Sequence, residues 1–367
     1  MTKPPAAWEL AVDPTDIRRT QVRVRQAPTE TDLAVGRALV RTERMGFSAN
    51  NVLYAVLGHQ NHYWDIYPTG DAMGIVPGWG YGRVVASGSP DLAVGDRIYG
   101  LLPMASHAEL GVEPIAANRF RDPSPHRQSA AAAYHGYTII PPDSPITGKL
   151  GDAYALLRPL FIVSWLASLY FADQTYFGAR DLIITSASSK TAIALAYLAK
   201  ASGAVENIVG LTSPANRAFV ESLGYYDNVM LYAEVTQLPQ DRKAVVFDVA
   251  GNAEVREQLH RRLGANLVHS ATVGLAHWEA SHETPPDLPG APPTLFFAPD
   301  YMGRYAQAWG GLPVVMQRFE DALQPFVGAA DTWLRLVEVC GAEAIEATYH
   351  AFLGGTRPPN EGLILQY

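Results

Sequence analysis

The pattern of hydrophobic and polar residues changes in character near residue 155. Upstream of this point, short segments alternate apolar and polar residues and are separated by glycine and proline. Clear examples are "TQVRVRQA", "GRALVRTERMGFS", "YGRVVASGS" and "GDRIYGLLP". Such alternation predicts β-strands with one buried face. The aromatic and proline-rich stretch "NHYWDIYPTGDAMGIVPGWGYG" predicts a structured loop. The N-terminal part of the chain therefore predicts a β-rich domain.

Downstream of residue 155, helical patterns alternate with short apolar runs. A helix predicted over 155–173 leads into the strand "DLIITSA", and the helix "SKTAIALAYLAKASG" follows. Further strands and helices follow in the order "NIVGLTS", "PANRAFVESLG", "NVMLY", "AVVFDVAG", "NAEVREQLHRRLG" and "ANLVHSA". Gly203, Gly224 and Gly264 fall where these helices end, a position that favours glycine. Because strands buried on both faces are apolar throughout, the alternation predicts a parallel sheet covered by helices.

The rest of the chain predicts a few more elements. The segment "PPTLFFAPD" predicts a sixth strand, and helical patterns follow around 313–326 and 330–351. The segment "EGLILQY" predicts a closing strand. The proline-rich stretch "ASHETPPDLPGAPP" predicts a loop or connection.

Composition excludes several classes of function. The chain has 367 residues, a length that suits two domains better than one. A net charge of −8 argues against a nucleic-acid partner, because phosphate binding requires a basic surface. The single cysteine, Cys340, excludes an intrachain disulfide and a thiolate zinc cluster, and it favours a cytoplasmic location. The longest apolar stretch, "ALLRPLFIVSWLASLYFA", contains Arg158 and Ser164, so we expect no membrane partner.

Three long segments follow one another in a characteristic order. "VPGWGYGRVVASGSPDLAVGDRIYGLLPMASHAEL" carries the VGDR motif at 94–97, which is the most specific piece. "ARDLIITSASSKTAIALAYLAKASGA" joins a strand to a helix, and "IVGLTSPANRAFVESLGYYDNVMLY" contains the next strand and helix. Over nearly the whole chain, this order resembles the medium-chain dehydrogenase/reductase superfamily, especially its zinc-independent quinone and enoyl reductases. It resembles an uncharacterised side branch more than a branch with a known substrate.

The resemblance implies an α/β protein of two domains. A GroES-like β-barrel domain would comprise residues 1–150 and 305–367. A Rossmann domain with a doubly wound parallel sheet would comprise residues 151–304. The resemblance further implies that cofactor and substrate bind in the cleft between the two domains.

The turn in "ITSASSKTAIAL" lies where this superfamily has its glycine-rich loop, yet it contains no glycine. The glycine positions fall on Ser186, Ser189 and Ala192. Hydroxyl groups and a lysine could replace the glycines in binding a pyrophosphate, together with the N–H groups at the helix start. The residues expected to do so are Ser186, Ser188, Ser189, Lys190 and Thr191. The alternative is a degenerate turn that binds the cofactor weakly or not at all.

Two other interpretations of the turn can be compared with the residues. A P-loop would need glycine at Ile184 and Ser189, and is rejected. A nucleophile elbow around Ser188, with Asp248 and His269 completing a triad, would place the bulky Lys190 in a strained turn. This second interpretation keeps a hydrolase open as an alternative.

The ends of the later strands predict the preferred cofactor. No acidic residue follows the second strand, where an NAD-binding site would have one, and Arg217 could contact a 2′-phosphate. We therefore expect NADP(H), with a solvated Arg217 as the alternative. The other residues expected to line the cofactor are Thr212, Ser213, Asn216, Val249, Ala250, Gly251 and Ser270.

Candidate chemistry is limited by the lack of zinc ligands. His59, His62 and His107 have no supporting ligand pattern, so we expect no metal. Hydride transfer without zinc needs a proton donor, for which Tyr54 or Tyr63 is the candidate, with Asn51 as a polar anchor. Each has a structural alternative: packing for the tyrosines, and helix capping for Asn51 and its neighbour Asn50. Further aromatic or cleft candidates are Trp64, Trp79, Tyr81, Tyr134 and His135.

The sequence thus predicts a zinc-independent, NADP(H)-dependent oxidoreductase. It would transfer hydride to an activated C=C bond or a quinone-like carbonyl of an apolar or aromatic small molecule. A homodimer remains open. Two alternatives stay open as well: a non-redox lyase or hydrolase that uses the interdomain cleft, and an NADPH-binding sensor without catalysis.

Overall fold

A computed structural model of the chain describes residues 6–26, 33–274, 287–355 and 357–367, and all counts below refer to these residues. The first half of the predicted loop "ASHETPPDLPGAPP", residues 280–286, lies outside them. The chain forms two units. The first unit comprises Met1–Leu157 and Leu334–Tyr367, and the second comprises Arg158–Trp333.

The strands and helices are numbered in chain order. The strands are β1 (Ala6–Asp13), β2 (Asp16–Gln26), β3 (Arg37–Phe47), β4 (Gly74–Ile75), β5 (Pro77–Ser87), β6 (Arg97–Pro103), β7 (His107–Gly111), β8 (Glu113–Ala116), β9 (Arg119–Arg121), β10 (Gly136–Ile140), β11 (Asp181–Ile184), β12 (Asn207–Thr212), β13 (Asn228–Leu231), β14 (Ala244–Asp248), β15 (Leu267–Thr272), β16 (Pro293–Leu295), β17 (Arg335–Cys340) and β18 (Glu361–Gln366). The helices are α1 (Ala49–Val56), α2 (Gly148–Asp173), α3 (Lys190–Ser202), α4 (Arg217–Ser222), α5 (Ala253–Leu263), α6 (Ala298–Trp309), α7 (Leu312–Ala330) and α8 (Ala342–Leu353).

The first unit contains two β-sheets. One has the strand order β2-β1-β4, and the other has the order β17-β18-β3-β5-β6-β10-β9-β8, with β7 also paired to β3. Strand β3 packs closely on the N-terminal part of α2 at Gly46. A Cβ atom at Gly46 would lie 2.6 Å from the Leu156 Cα, so only glycine fits there. The predicted β-rich N-terminal domain is confirmed.

The second unit contains a parallel sheet with helices between its strands. The strand order is β13-β12-β11-β14-β15-β16, and every neighbouring pair is parallel. Numbered within the unit, this is the order 3-2-1-4-5-6 of a doubly wound fold, with its switch point between β11 and β14. Leu182, Ile183 and Ile184 of β11 are each at most 1% exposed, as expected for a strand covered on both faces. The predicted Rossmann-type fold is therefore confirmed.

The second unit extends further along the chain than the predicted boundary at residue 304. Helices α6 and α7 belong to it because α7 packs on α2: Phe319 and Phe326 lie 6.0 and 4.9 Å from Phe161, measured between ring centroids. Arg158 of α2 donates hydrogen bonds of 2.9 and 2.6 Å to Glu320 of α7. Arg158 is thus in a structural ion pair within this unit.

The helix predicted over 330–351 is wrong in its first half. Residues 335–340 form β17, which pairs in parallel with β18, for example Val337 with Leu363. Only the second half of the prediction is helical, as α8. The alternating segment "RLVEVC" is extended because a neighbouring strand from a later part of the chain is available to pair with it.

The apolar helix α2 also requires a correction. By length and composition alone it could cross a membrane, with a mean hydropathy of 1.6 despite the Arg158 and Ser164 on which the expectation of no membrane partner rests. In the described structure, 56% of its apolar window is buried, and Phe161 and Trp165 pack on α7. These contacts are those of a core helix, and the absence of a membrane partner stays a prediction.

Candidate functional site

The turn between β11 and α3 has the backbone of a glycine loop without its glycines. Ser186 has a φ of +50°, in the left-handed region that side chains rarely adopt. This is the first of the positions where the superfamily has glycine. The backbone has therefore kept a conformation that glycine would adopt without strain.

Tyrosine side chains from the neighbouring strand connections hold this turn in place. The Ser186 N–H donates to the Tyr232 hydroxyl at 3.0 Å, and the Tyr226 hydroxyl donates to the Ala187 carbonyl at 2.9 Å. Close approach to the sheet is provided by Gly210 on β12, where a Cβ would lie 2.9 Å from the Ala187 Cβ. The sequence does not predict a role for Tyr226, Tyr232 or Gly210, because the glycine that the turn needs lies on another strand.

The start of α3 retains groups that can bind an anion. Ser189 is the N-cap, and its hydroxyl accepts a hydrogen bond of 3.3 Å from the Ala192 N–H. Ser188 Oγ accepts a hydrogen bond of 3.0 Å from the Asn216 amide. Within the described residues, the backbone N–H groups of Ser188 and Thr191 have no acceptor. Together with the helix dipole, these N–H groups make the turn suitable for a phosphate.

The Arg217 side chain is 41% exposed and forms two ion pairs. Its guanidinium donates to Glu221 at 2.9 Å and to Glu234 at 3.4 Å. These two carboxylates raise the pKa of Arg217. No acidic residue follows β12 directly in the sequence. In the structure, however, Glu234, on the turn after β13, reaches Arg217.

A buried polar network fixes the ends of β11 and β14. Thr185 Oγ1 donates to Asp248 at 2.7 Å and accepts hydrogen bonds of 2.9 Å from the N–H groups of both Val249 and Ala250. The Gly251 N–H donates to the same carboxylate at 3.1 Å. The second Asp248 oxygen faces Arg256 at 3.3 Å. The N–H groups of the segment expected to line the cofactor are therefore used within the protein.

Two other predicted residues of this unit are buried. Thr212 is 1% exposed at the end of β12, with Ser213 directly after it. Ser270 is fully buried within β15, and its hydroxyl lies 3.1 Å from His260 Nε2. Ser270 therefore faces a structural histidine.

The candidate hydrolase triad is not assembled. Ser188 pairs with Asn216, and Asp248 pairs with Thr185 and Arg256. The His269 ring stacks on Phe177 with the ring centroids 4.3 Å apart. Because the three side chains have separate partners, they cannot act as nucleophile, base and orienting acid.

In the first unit, α1 carries two of the predicted catalytic residues, Asn51 and Tyr54. Ser48 is its N-cap, and the Asn51 side chain accepts a hydrogen bond of 2.9 Å from the Ser48 N–H. The Asn51 amide also donates to the Pro77 carbonyl at 3.0 Å. Both ends of Asn51 are thus occupied, so the capping alternative holds for this residue.

Tyr54 and Tyr63 do not lie on the same helix, yet their rings meet in one aromatic group. We call Tyr54, Tyr63, Tyr134 and Trp79 the tyrosine cluster. The Tyr54 ring lies 4.7 Å from Tyr63 and 6.0 Å from Tyr134, and Trp79 lies 6.3 Å from Tyr134. Tyr54 and Tyr63 are each 3% exposed, whereas Tyr134 is partly exposed. The structure therefore joins the two candidate acids and adds Tyr134 to them.

The hydroxyl groups of the cluster have different partners. Tyr54 accepts hydrogen bonds from the Asn50 amide at 2.8 Å and from the Trp79 indole at 2.9 Å. The Tyr63 and Tyr134 hydroxyls pair with each other at 3.1 Å. Burial raises the pKa of Tyr54 well above its ordinary value, while the two N–H donors act to lower it. Tyr54 is thus held in its protonated form at neutral pH.

The histidines do not form a metal site in the described structure. His62 Nδ1 faces Asp65 at 2.8 Å, and His107 Nδ1 faces Ser106 Oγ at 3.0 Å. Across residues 6–26, 33–274, 287–355 and 357–367, no group of three or more His, Cys, Asp or Glu residues could hold a metal ion. The expected independence from zinc stays a prediction.

Two open cavities in the first unit are lined by residues outside the tyrosine cluster. One of about 620 Å³ is lined by Arg44, Asp152 and Glu338, and another of about 490 Å³ by Glu43, Arg83 and Arg97. In each, the charged residues are paired with one another. Neither cavity contains a residue that we expected in the site.

Solved structures establish the class to which this arrangement belongs. The chain is similar over its full length to a protein assigned as an NADPH:quinone reductase from Mesorhizobium loti, with 15% identity, 100% of both chains covered and a TM-score of 0.62. CurA from Vibrio vulnificus, solved in complex with NADPH, matches with 14% identity, 98% of each chain covered and a TM-score of 0.60. The CurK enoyl reductase matches with 14% identity, 98% and 99% coverage and a TM-score of 0.53. The protein therefore has the medium-chain dehydrogenase/reductase fold.

Within that fold, the sequence defines a particular family. Residues 45–358 match the model of the family described as "Protein of unknown function (DUF2855)", and the chain belongs to this family. A search of curated proteins finds no match. The fold that the resemblance implies is thereby confirmed, and the match to a family of unknown function is consistent with an uncharacterised branch.

Proposed function

We propose that the protein is an NADPH-dependent oxidoreductase that reduces an activated C=C bond or a quinone-like carbonyl of an apolar or aromatic small molecule. The observation that carries the proposal is the turn between β11 and α3. Its backbone is left-handed at Ser186 and leads into a helix N-terminus at the switch point of the sheet. Similarity to a protein assigned as an NADPH:quinone reductase, to an enoyl reductase and to a protein solved in complex with NADPH supports the same conclusion.

The residues of the turn fit the phosphate groups of the cofactor better than they fit its adenosine ribose. The N–H groups of Ser188 and Thr191 and the charge of Lys190 would hold the pyrophosphate. At the end of β12, a 2′-phosphate would have to compete with Glu221 and Glu234 for Arg217. We propose NADP(H) as the cofactor because Arg217 begins α4 shortly after the end of β12, where the ribose is expected.

Tyr54 would supply the proton. NADPH, when bound, would supply a hydride to the electrophilic carbon of the substrate. In a carbonyl substrate the C=O electron pair would move to oxygen; in an activated C=C bond, the C=C pair would form the enolate double bond as the carbonyl pair moves to oxygen. The Tyr54 O–H donates to that oxygen as its negative charge develops, and the substrate gains one hydride and one proton. Aromatic rings around Tyr54 suit a flat, apolar substrate. Asn51 would act only by fixing α1.

Tyr54 is preferred to Tyr63 because of hydrogen bonding. The Tyr63 hydroxyl already pairs with that of Tyr134, whereas the Tyr54 oxygen is filled by two N–H donors. Tyr134 and Trp79, the partly exposed members, would border the side from which a substrate enters. Tyr63 would then support the Tyr54 ring and exclude water.

Two measurements test the proposal. NADPH and NADH are titrated against the protein while tryptophan fluorescence and Tm are followed. The loss of NADPH absorbance is then measured with enones, quinones and aldehydes. We expect NADPH to bind more tightly than NADH, and Tyr54→Phe to lower kcat about 100-fold or more while leaving NADPH binding unchanged. Binding of neither cofactor would overturn the proposal.

A sensor without catalysis is the second candidate, and one observation favours it. Tyr54 and Tyr63 are each only 3% exposed, so a substrate must displace part of the cluster to reach them. NADPH binding without NADPH oxidation by any of the three substrate classes would favour the sensor. Oxidation that depends on Tyr54 would exclude it.

We also propose a cytoplasmic location and a small-molecule substrate. The single cysteine and the similarity to reductases support these two points. A homodimer stays a prediction, and the mass of the protein by light scattering would test it.

A further inference from the structure

We infer that Trp79 and Asn50 are positioning residues that aim the Tyr54 proton at the substrate. This inference rests on the function proposed above and assigns roles to two residues outside the predicted catalytic set. Both residues act through the Tyr54 oxygen, which accepts from the Trp79 indole and the Asn50 amide.

The hydrogen-bond inventory of the Tyr54 hydroxyl carries the inference. A phenol oxygen has two lone pairs and one proton. Both lone pairs are filled by N–H donors, so the proton is the only capacity left. Within the part of the chain that the structure describes, no nitrogen or oxygen accepts that proton. A buried donor without an acceptor is rare in proteins and calls for an explanation. A ligand oxygen would satisfy it.

The two donors are themselves held firmly. Asn50 and Tyr54 lie one turn apart on α1, so their side chains share one face of the helix. The Asn51 cap fixes the start of the same helix. The Trp79 ring, on β5, stacks on Tyr99 with the centroids 5.9 Å apart. The N–H groups therefore reach the Tyr54 oxygen from two different elements, and only one direction remains for its proton.

The donors also address the cost of releasing the proton. Once Tyr54 gives up its proton, a phenolate remains among aromatic rings, where burial disfavours the charge. Hydrogen bonds become stronger when the acceptor is ionised, so Trp79 and Asn50 stabilise the phenolate more than the phenol. This difference makes a buried tyrosine a usable acid.

The test replaces each donor and follows Tyr54 directly. An acidified fluorotyrosine is incorporated at position 54, and its ionisation is followed by absorbance and ¹⁹F NMR in the free protein. We expect Trp79→Phe and Asn50→Ala each to raise the pKa of this phenol by about 1. In the unlabelled protein, each variant should lower kcat about tenfold with little change in KM. Circular dichroism checks that each variant folds, and Asn50→Ala tests the inference if Trp79→Phe does not.

Trp64→Phe is the matched control. The Trp64 indole is also buried, and within the described residues its N–H has no partner. Replacing Trp64 with Phe therefore shortens an aromatic side chain without removing a hydrogen-bond donor to Tyr54. We expect this variant to leave the pKa of the labelled phenol unchanged. An unchanged pKa in Trp79→Phe and Asn50→Ala, or an equal rise in Trp64→Phe, would overturn the inference. Since the titration needs no cofactor, it gives an answer even if NADPH does not bind.

Discussion

At the scale of single residues, Ser186 carries the clearest local strain in the candidate cofactor turn. A non-glycine residue in the left-handed region costs about 1–3 kcal/mol, and part of this cost is returned because serine loses less entropy on folding than glycine. We expect Ser186→Gly to raise the free energy of unfolding by about 1 kcal/mol. Urea denaturation at fixed pH measures the change.

Ser189→Ala, three residues later, should change the free energy of unfolding in the opposite direction. Ser189 has an ordinary extended backbone and caps α3 through its hydroxyl, so its loss should cost about 1 kcal/mol. If both variants destabilise the protein equally, the assignment of strain to Ser186 is incorrect. If Ser186→Gly also tightens NADPH binding, the strain at Ser186 opposes cofactor binding as well as folding.

The positions of some site residues could be predicted from the sequence, whereas their long-range contacts could not. The positions of Ser186 and Tyr54 could be predicted because each follows from a local pattern and a resemblance. The second partner of Arg217, Glu234, could not, since it is 17 residues away and lies on the turn after the next strand. Likewise, no local pattern shows that the Trp79 indole points at Tyr54, because that contact depends on how α1 packs against β5.

At the scale of elements, the packing of the turn on β12 depends on Gly210. A methyl group there would lie 2.9 Å from the Ala187 Cβ and 2.8 Å from the Tyr226 ring, closer than real contacts allow. We expect Gly210→Ala to lower the free energy of unfolding by about 1–3 kcal/mol and to weaken NADPH binding, since the turn must shift. Chemical denaturation and the NADPH titration measure the two effects.

Gly303→Ala is the control for this substitution. Gly303 lies within α6, and a methyl group added there would have no atom of the described structure within 4 Å, so alanine should stabilise the helix by about 1 kcal/mol. A loss of stability in both variants would indicate a general intolerance of added methyl groups and would contradict the role given to Gly210.

Apart from helix α6, the strands and helices of the second unit could be predicted, whereas the strand β17 of the C-terminal part could not. Apolar strands such as β11 and β14 are recognisable because burial on both faces leaves no polar position. The strand β17 has a pattern that also fits a helix, because its own residues are half-exposed and its identity depends on β18. The boundary of the unit was missed for a similar reason: the aromatic contacts between α2 and α7 join distant parts of the chain.

At the scale of the whole molecule, buried histidines predict how stability depends on pH. Burial lowers the pKa of His107 in the first unit and of His260 and His269 in the second below the ordinary value of 6.5. The unfolded chain therefore binds protons at a higher pH than the folded protein does. The stability from these neutral histidines is complete above about pH 6.5 and is lost as the pH falls below it.

We expect the free energy of unfolding to fall between about pH 7.5 and about pH 5.5, and His260→Gln to reduce that slope. Urea denaturation at several pH values in one buffer system measures it. His59→Gln is the control, because His59 is exposed to solvent and its replacement should leave the slope unchanged. A stability that rises on acidification would contradict the assignment.

The position of β18 has a consequence for the order in which the chain can fold. This strand lies between β17 and β3, and it pairs with β3 through contacts such as Leu365 with Met45. During synthesis, the ribosome must complete the whole second unit before β18 emerges. Until then, residues 44–47 of β3 lack their partner strand while Arg37–Arg41 can already pair with β7, and strands of other chains can add at the open part of this edge. The first unit to be translated is therefore the last to be finished, and a chain interrupted before residue 361 should need chaperone protection.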